Sequence, residues 1–259
     1  MTNRTQYPDG GPCWVDLATP NGAGARRFYG PLLGWTFDEP NPALGGYMNV
    51  RRDGKRVAGV MELPPQQFTM GWGVHLKTSD IEATARKIVQ AGGALVMAPH
   101  DVAELGRNLL ATDPTGALFG LWEPRSFSGA ELDDEVGAMC WHDLSTRDAA
   151  AADRFYTSIF AYEKVTMKLC EQADNAIFNV GDEPVFSRIQ HLAGPAKDLP
   201  SHWMVYFAIA DMDAALALLP RLEGKLLSGP NDTPYGRMAV VADPYGAVLT
   251  LVQRAPAAT

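Results

Sequence analysis

The heptad Cys-Trp-Val-Asp-Leu-Ala-Thr at residues 13–19 returns as Cys-Trp-His-Asp-Leu-Ser-Thr at residues 140–146, and each copy runs on to an Arg-Phe-Tyr that ends at Tyr29 or Tyr156. Between Cys13–Tyr29 and Cys140–Tyr156, ten of seventeen aligned positions are identical without a gap. The echo continues. Gly106-Arg107 followed by Asp113-Pro114-Thr115-Gly116-Ala117 reappears as Gly236-Arg237 followed by Asp243-Pro244-Tyr245-Gly246-Ala247. A chain that repeats itself is expected to build the same unit twice, and a unit of about 115 residues is too long for a solenoid repeat and long enough for a domain. The offset drifts from 127 to 130 residues. This places a net insertion of three residues near Pro195–Ser201, where Gly194, Pro195 and Pro200 mark a loop.

Composition narrows the partners. A net charge of −8 argues against a phosphate-tracking surface, because nucleic-acid binding relies on Lys and Arg releasing counterions. Residues 1–11 are polar with no apolar leader core, and no stretch approaches the ~20 apolar residues of a membrane span, so a cytoplasmic chain is expected. Cys13, Cys140 and Cys170 are odd in number and have no CxxC spacing, which favours reduced thiols, with Cys13 and Cys140 as packing residues.

Within each half the hydrophobic period switches between two and 3.6. Trp14–Leu17 and Trp72–Lys77 alternate as half-buried strands do. Ser79 or Asp80 can cap a helix over Ile81–Gln90 that Gly92-Gly93 ends, and the second half repeats this with Asp211, Ala214–Leu219 and a break at Pro220. The order predicts four strand-helix-strand-strand-strand modules, two per half.

On Ala25-Arg26-Arg27-Phe28-Tyr29 with Gly34-Trp35, on Ala152-Asp153-Arg154-Phe155-Tyr156, and on the Gly-Arg and Asp-Pro-x-Gly-Ala blocks, the chain resembles tandem members of the glyoxalase/bleomycin-resistance/dioxygenase, or vicinal oxygen chelate, superfamily. The Pro200-Ser201-His202-Trp203 run resembles the actinobacterial-type subgroup. The resemblance implies an α+β fold of two tandem glyoxalase-like domains, at 11–125 and 138–254 with a linker at 126–137, whose four βαβββ modules form two curled mixed-sheet cups. It does not imply one chemistry, since the superfamily spans isomerases, dioxygenases, transferases and drug-sequestering proteins.

In metal-using relatives, ligands point into the cup from the first, fifth and eighth strands. Counting from the motifs puts these positions on Trp14, Gly73 and Gly120 in the first half and on Trp141, Met204 and Thr250 in the second. Only Thr250 offers an oxygen, and a lone neutral hydroxyl is a poor site for a transition metal. No metal and no other cofactor is therefore expected.

Residues two apart on a strand share a face. The cup faces are then Trp14, Asp16 and Ala18 with Gly73, His75 and Lys77 in one half, and Trp141, Asp143 and Ser145 with Met204, Tyr206 and Ala208 in the other. Trp122 and Val252 close the cups. Asp16, Asp143 and His75 are the catalytic candidates, since a carboxylate in an apolar, tryptophan-lined cup should have a raised pKa and can exchange protons near neutrality. Asp16 and Asp143 can equally be fold-level hydrogen-bond acceptors, with Arg107 and Arg237 as partners. His75 can pair with Asp16 or, with Glu62, complete an unusual metal site. Trp14, Trp122, Trp141, Tyr206 and Met204 are candidate ligand-binding residues; His191, which matches Glu62, can with Arg188 meet an anionic group at the second rim or simply be a solvated strand end. His142 takes the place of Val15 on the helix side as a hydrogen-bonded, semi-buried histidine. Met61, Met70 and Met97 are read as core filler.

These readings point to a metal-independent enzyme acting on a small aromatic or polyketide-like metabolite by Asp acid–base chemistry, of lyase, isomerase or hydroxylase type, within secondary metabolism or antibiotic resistance. Two alternatives stand beside it: a non-catalytic protein that sequesters a drug or metabolite, and a metal-dependent glyoxalase or dioxygenase with an unusual ligand set. The expected partner is a small molecule. The tandem form implies a monomer with an internal pseudo-dimer, with a homodimer as the alternative.

Overall fold

The computed structural model describes residues 6–66 and 70–254, and side chains at 168–170 are outside the description, so the reading of Cys170 is not addressed. The first half runs β1 (Pro12–Thr19), α1 (Gly22–Leu33), β2 (Thr36–Phe37), β3 (Met48–Arg52), β4 (Lys55–Glu62), β5 (Gly71–Lys77), α2 (Ile81–Gln90), β6 (Ala94–Val102), β7 (Gly106–Thr112) and β8 (Leu118–Pro124). The second half repeats it as β9 (Met139–Ser145), α3 (Ala149–Ile159), β10 (Glu163–Cys170), β11 (Ala173–Val180), β12 (Glu183–His191), β13 (His202–Ala208), α4 (Met212–Leu218), β14 (Lys225–Thr233), β15 (Gly236–Ala242) and β16 (Val248–Gln253). These are four βαβββ modules in an α+β fold.

Each half makes its own eight-stranded mixed sheet, in the order β2-β3-β4-β1-β5-β8-β7-β6 and its repeat β10-β11-β12-β9-β13-β16-β15-β14. The first strands of the two modules in a half pair antiparallel, Asp16 opposite Gly73 and Asp143 opposite Met204, while their neighbours run parallel. Each cup is thus closed within one half.

The four α-helices among the described residues start by one device. Asn21, Asp80, Asp148 and Asp211 each accept from the backbone N–H three residues on, satisfying a donor that the helix itself leaves open. The last strand of the same module reaches over to the first helical N–H, through Glu62 to Gly22, Glu123 to Ile81, Gln190 to Ala149 and Gln253 to Met212. The fourth helix differs from the expected Ala214–Leu219. It starts two residues earlier because Asp211 is the cap, and it tightens into a 3-10 turn at Leu219–Leu222 around Pro220.

The convex faces and the helices share one core. Val15, Leu17, Val74 and Leu76 from the first sheet and Leu144, Val205 and Phe207 from the second are fully buried there. The repeated Arg-Phe-Tyr tyrosine locks the halves together. Tyr29 donates to Asp243 of the other half's Asp-Pro turn at 3.1 Å and accepts from Trp72 at 3.2 Å. Tyr156 accepts from Trp203 at the same 3.2 Å. Phe207 completes the junction, edge-on to Trp35 and Trp72 at 5.2 and 5.0 Å. Cys13 and Cys140 are buried free thiols, as expected of packing residues; burial pushes the Cys140 thiol up to about 12.

Candidate functional site in two unequal cups

Alternation along β1 turns Trp14, Asp16 and Ala18 to the concave face of the first sheet, and β5 adds Gly73, His75 and Lys77. Asp16 Oδ2 lies 3.2 Å from His75 Nε2. Tyr47, just before β3, donates to the same carboxylate oxygen at 3.4 Å and accepts from Trp14 Nε1 at 2.7 Å. The anticipated Asp-His pair therefore forms, and it forms inside a larger polar cluster.

Three glycines on this face make the room. A Cβ at Gly59 would meet the Tyr47 hydroxyl at 1.7 Å, one at Gly73 would meet Asp16 Oδ1 at 2.9 Å, and one at Gly120 would meet His75 Nδ1 at 2.1 Å. Gly73 and Gly120 are two of the positions where metal ligands were sought. Here they are empty slots for the acid and the imidazole.

Burial opposes charge on His75, yet the adjacent Asp16 carboxylate, with Asn108 beside the ring, holds its pKa above the usual histidine value. Tyr47 is pushed well above the usual phenol value by burial and by the same carboxylate. His75 is only 5% exposed, whereas the Asp16 side chain is 28% exposed. A ligand in the cup can meet Asp16; it cannot meet His75 directly.

The lower end of the first cup is plugged. Phe127, in the segment expected to be a linker, packs edge-on to Trp14 at 4.8 Å and near Trp122 at 5.8 Å, with the Arg56 guanidinium 4.4 Å above its ring. Trp122 Nε1 donates to the Phe127 carbonyl at 2.7 Å. This corrects the expectation that Trp14 and Trp122 are open walls for a ligand. They form a covered floor because a chain segment outside the repeat has claimed their faces.

The second cup is built differently. Asp143 is nearly buried and accepts from Ser187 at 2.7 Å, from Trp141 at 3.1 Å and, through a short bond, from Tyr206. Burial outweighs these donors and raises its pKa, as expected of a carboxylate in an apolar cup. Register puts Tyr206 where the first half has His75, Ser187 where it has Gly59, Thr250 where it has Gly120, and Met238 where it has Asn108. Trp141, Met204 and Tyr206 are half-buried on the concave face, so the structure brings these predicted ligand residues together.

Several expectations are corrected. Arg188 is 1% exposed on the helix side, forked onto Asp153 at 3.0 and 3.1 Å and paired with Asp174, because it shares a strand face with buried Phe186. It cannot greet a ligand. His191 lines a cavity of about 440 Å³ together with Arg147 and Lys197. The residue equivalent to Glu62 is Gln190, one position earlier, and both cap helices, so Glu62 is not available to a metal. Arg107 pairs with Glu82 and Asp101, and Arg237 with Asp213; neither reaches Asp16 or Asp143. His142 is fully inside the shared core, with Nε2 lacking a partner among the described residues, and burial lowers its pKa to about 3. Met61 and Met70 are half-buried and Met97 is 39% exposed, so none of the three fills the core.

Sequence reasoning missed Tyr47, Asn108 and Phe127. Asn108 was accessible to it, since it alternates with buried Leu109 on β7; Phe127 was not, because it has no counterpart in the periodic segments. The donor set does not fit the metal of the superfamily: the six counted positions carry two tryptophans, two glycines, a methionine and a threonine, and among the described residues no three His, Cys, Asp or Glu side chains converge. Among the described residues no helix is long and apolar enough to cross a membrane.

Comparison with known proteins gives the same architecture and a family. The family described as "Glyoxalase-like domain" matches residues 14–122. A putative glyoxylase, CFP32, from Mycobacterium bovis is 34% identical over 263 residues, covering 99% of both chains. The anthracycline biosynthesis protein DnrV of Streptomyces peucetius is also 34% identical, over 96% of this chain and 95% of its own. Among solved structures, the 2,3-dioxygenase LapB from Pseudomonas sp. KL28 superposes with a TM-score of 0.64 at 14% identity, covering 96% of this chain and 94% of its own. The Mn(II)-bound glyoxalase from Novosphingobium aromaticivorans has the same TM-score and identity over 95% of this chain and 82% of its own. At such identities these two structures speak for the fold alone. Two cups built from four repeated modules, matched over nearly the whole chain by glyoxylase-named and biosynthetic relatives, place this protein in the glyoxalase-like, vicinal oxygen chelate family in its tandem form.

Proposed function

We propose that the protein is a metal-independent enzyme that binds a small aromatic or polyketide-like metabolite and moves a proton with Asp16. The observation that carries this reading is the Asp16–His75 contact of 3.2 Å on the concave face, with the carboxylate partly open and the histidine beneath it. A carboxylate held by an imidazole and a phenol is pre-oriented, which general acid–base chemistry requires. A carboxylate is a weak base, so the class of substrate it suits carries an acidic O–H or C–H, such as a phenol or an enolisable β-dicarbonyl. DnrV, named for anthracycline biosynthesis, supports a place in secondary metabolism.

The second cup favours a second reading, ligand holding without turnover, because every donor around Asp143 is already engaged with it. To separate the two, phenolic and polyketide-like compounds that raise the unfolding temperature are assayed for turnover with chelator-treated protein. Asp16→Asn should lower turnover more than ~100-fold while ligand affinity stays within about threefold. A stoichiometric metal required for turnover, or turnover untouched by Asp16→Asn, would overturn the proposal.

A further inference from the structure

The buried side of the first cup contains two polar atoms that the Asp16–His75 contact does not use. His75 Nδ1 and Asn108 Oδ1 are both buried and have no hydrogen-bond partner among the described residues. They belong to neighbouring parts of one face, since His75 sits opposite Gly120 on β8, and Asn108, on β7, sits opposite Trp122 two residues further along that strand. We infer that Asn108 is a positioning residue, which holds the far nitrogen of His75 so that the near one stays aimed at Asp16, and that this makes the first cup the one that moves a proton. The inference rests on the reading of Asp16 given above.

The duplication supplies a comparison inside the chain. Where the first half has His75 and Asn108, the second has Tyr206 and Met238. Histidine and asparagine are present together or absent together. Tyr206 needs no support at its ring edge, since its hydroxyl donates straight to Asp143, and both Tyr206 and Met238 pack against the small apolar cluster of Cys140, Ala208 and Val252. An imidazole has two nitrogens, and which of them carries a proton depends on what the other one meets. With the Asn108 amide oxygen turned to Nδ1 and the carboxylate at Nε2, both ring N–H groups have an acceptor, which favours the doubly protonated ring. Asn108 leans on the ring to the same effect, raising its affinity for the proton along with Asp16.

The titratable groups that face the ring are Asp16 from β1 and Tyr47 from the turn before β3, while β4 and β8 present Gly59 and Gly120. The step this unit supports balances simply. The ligand's acidic O–H or C–H bond breaks, its electron pair stays on the ligand as phenolate or enolate, and a new O–H forms on Asp16. The anion so formed lies near the His75 imidazole, whose protonated form the same carboxylate favours.

The test needs no substrate. Side-chain 15N–1H spectra of the full chain resolve its five histidines, and His75→Gln assigns the signal of interest. In Asn108→Leu the midpoint of His75 titration should fall by about one pH unit, a tenfold loss of proton affinity, while Asn108→Asp should raise it. An unchanged midpoint in folded Asn108→Leu would overturn the assignment, and if that variant does not fold, an unchanged midpoint in Asn108→Asp would do so. A shifted midpoint together with turnover that survives Asp16→Asn would leave the positioning of His75 standing and remove the catalytic reading of Asp16.

Discussion

Replacing Gly120 by alanine adds one methyl group and should dismantle the first cup's polar cluster. The added carbon would lie 2.1 Å from His75 Nδ1, 2.5 Å from Cε1 and 2.8 Å from Cγ, so it meets the body of a buried ring and not the end of a flexible chain. The ring cannot retreat toward Asp16, which already stands 3.2 Å from its other nitrogen. Overpacking of this kind costs about 1–3 kcal/mol. Losing the contact with a partly exposed carboxylate adds roughly 1 kcal/mol, below the ~1.5–3 kcal/mol of a hydrogen bond to a charged group because solvent screens the open side of the carboxylate. The total of about 2–4 kcal/mol corresponds to a fall of roughly 4–16 °C in unfolding midpoint at ~2–4 °C per kcal/mol for a chain of this size. Thermal and urea unfolding of four proteins, wild type, Gly120→Ala, His75→Ala and the double variant, separates the terms. In the His75→Ala background the methyl has nothing to strike, and its cost should drop below ~0.5 kcal/mol. Equal costs in both backgrounds would show that Gly120 is required for the strand itself and not to seat His75.

Three other outcomes follow from the same geometry. His142 is depressed to about 3 in the folded chain, so the unfolded chain binds its proton first as pH falls below ~6.5, and stability is lost across that window; His142→Val, which copies Val15 of the first half, should gain about 2 kcal/mol at pH 5 and much less at pH 8, and a gain independent of pH would contradict this. Asp153→Asn leaves the Arg188 guanidinium, which is 1% exposed, with Asp174 as its remaining carboxylate and should cost about 1.5–3 kcal/mol in urea unfolding, where a loss under 1 kcal/mol would mean the pair relaxes into solvent. Tyr29→Phe removes a hydroxyl that donates to Asp243 of the other half and accepts from Trp72 of its own, and should cost about 2 kcal/mol by calorimetry, so an unchanged unfolding transition would deny the tyrosine its role as a lock.

Much of the fold was legible along the chain because strands and helices write their periods into local sequence. Trp14 and Asp16 on one face with Val15 and Leu17 on the other needed only a period of two. Arg188 was misplaced although the same rule, started from Phe186, puts it on the buried side. Glu62 was misjudged for a different reason: a carboxylate at a strand end looks equally like a ligand or a cap until the helix N-terminus that it satisfies is beside it. Phe127 had no periodic context at all, and only the folded chain lays it across Trp14 and Trp122.

By itself, the sequence determined that there are two units, what modules compose them and which strand faces carry polar groups, because all of these depend on residue order and period. The tertiary structure alone decided that each half closes its own cup, that Gly120 and Gly73 are slots for His75 and Asp16, and that Asp143 is saturated while Asp16 stays open. Those properties depend on distances between side chains far apart in the chain, and a repeat that looks symmetric in one dimension places different neighbours around its two aspartates in three.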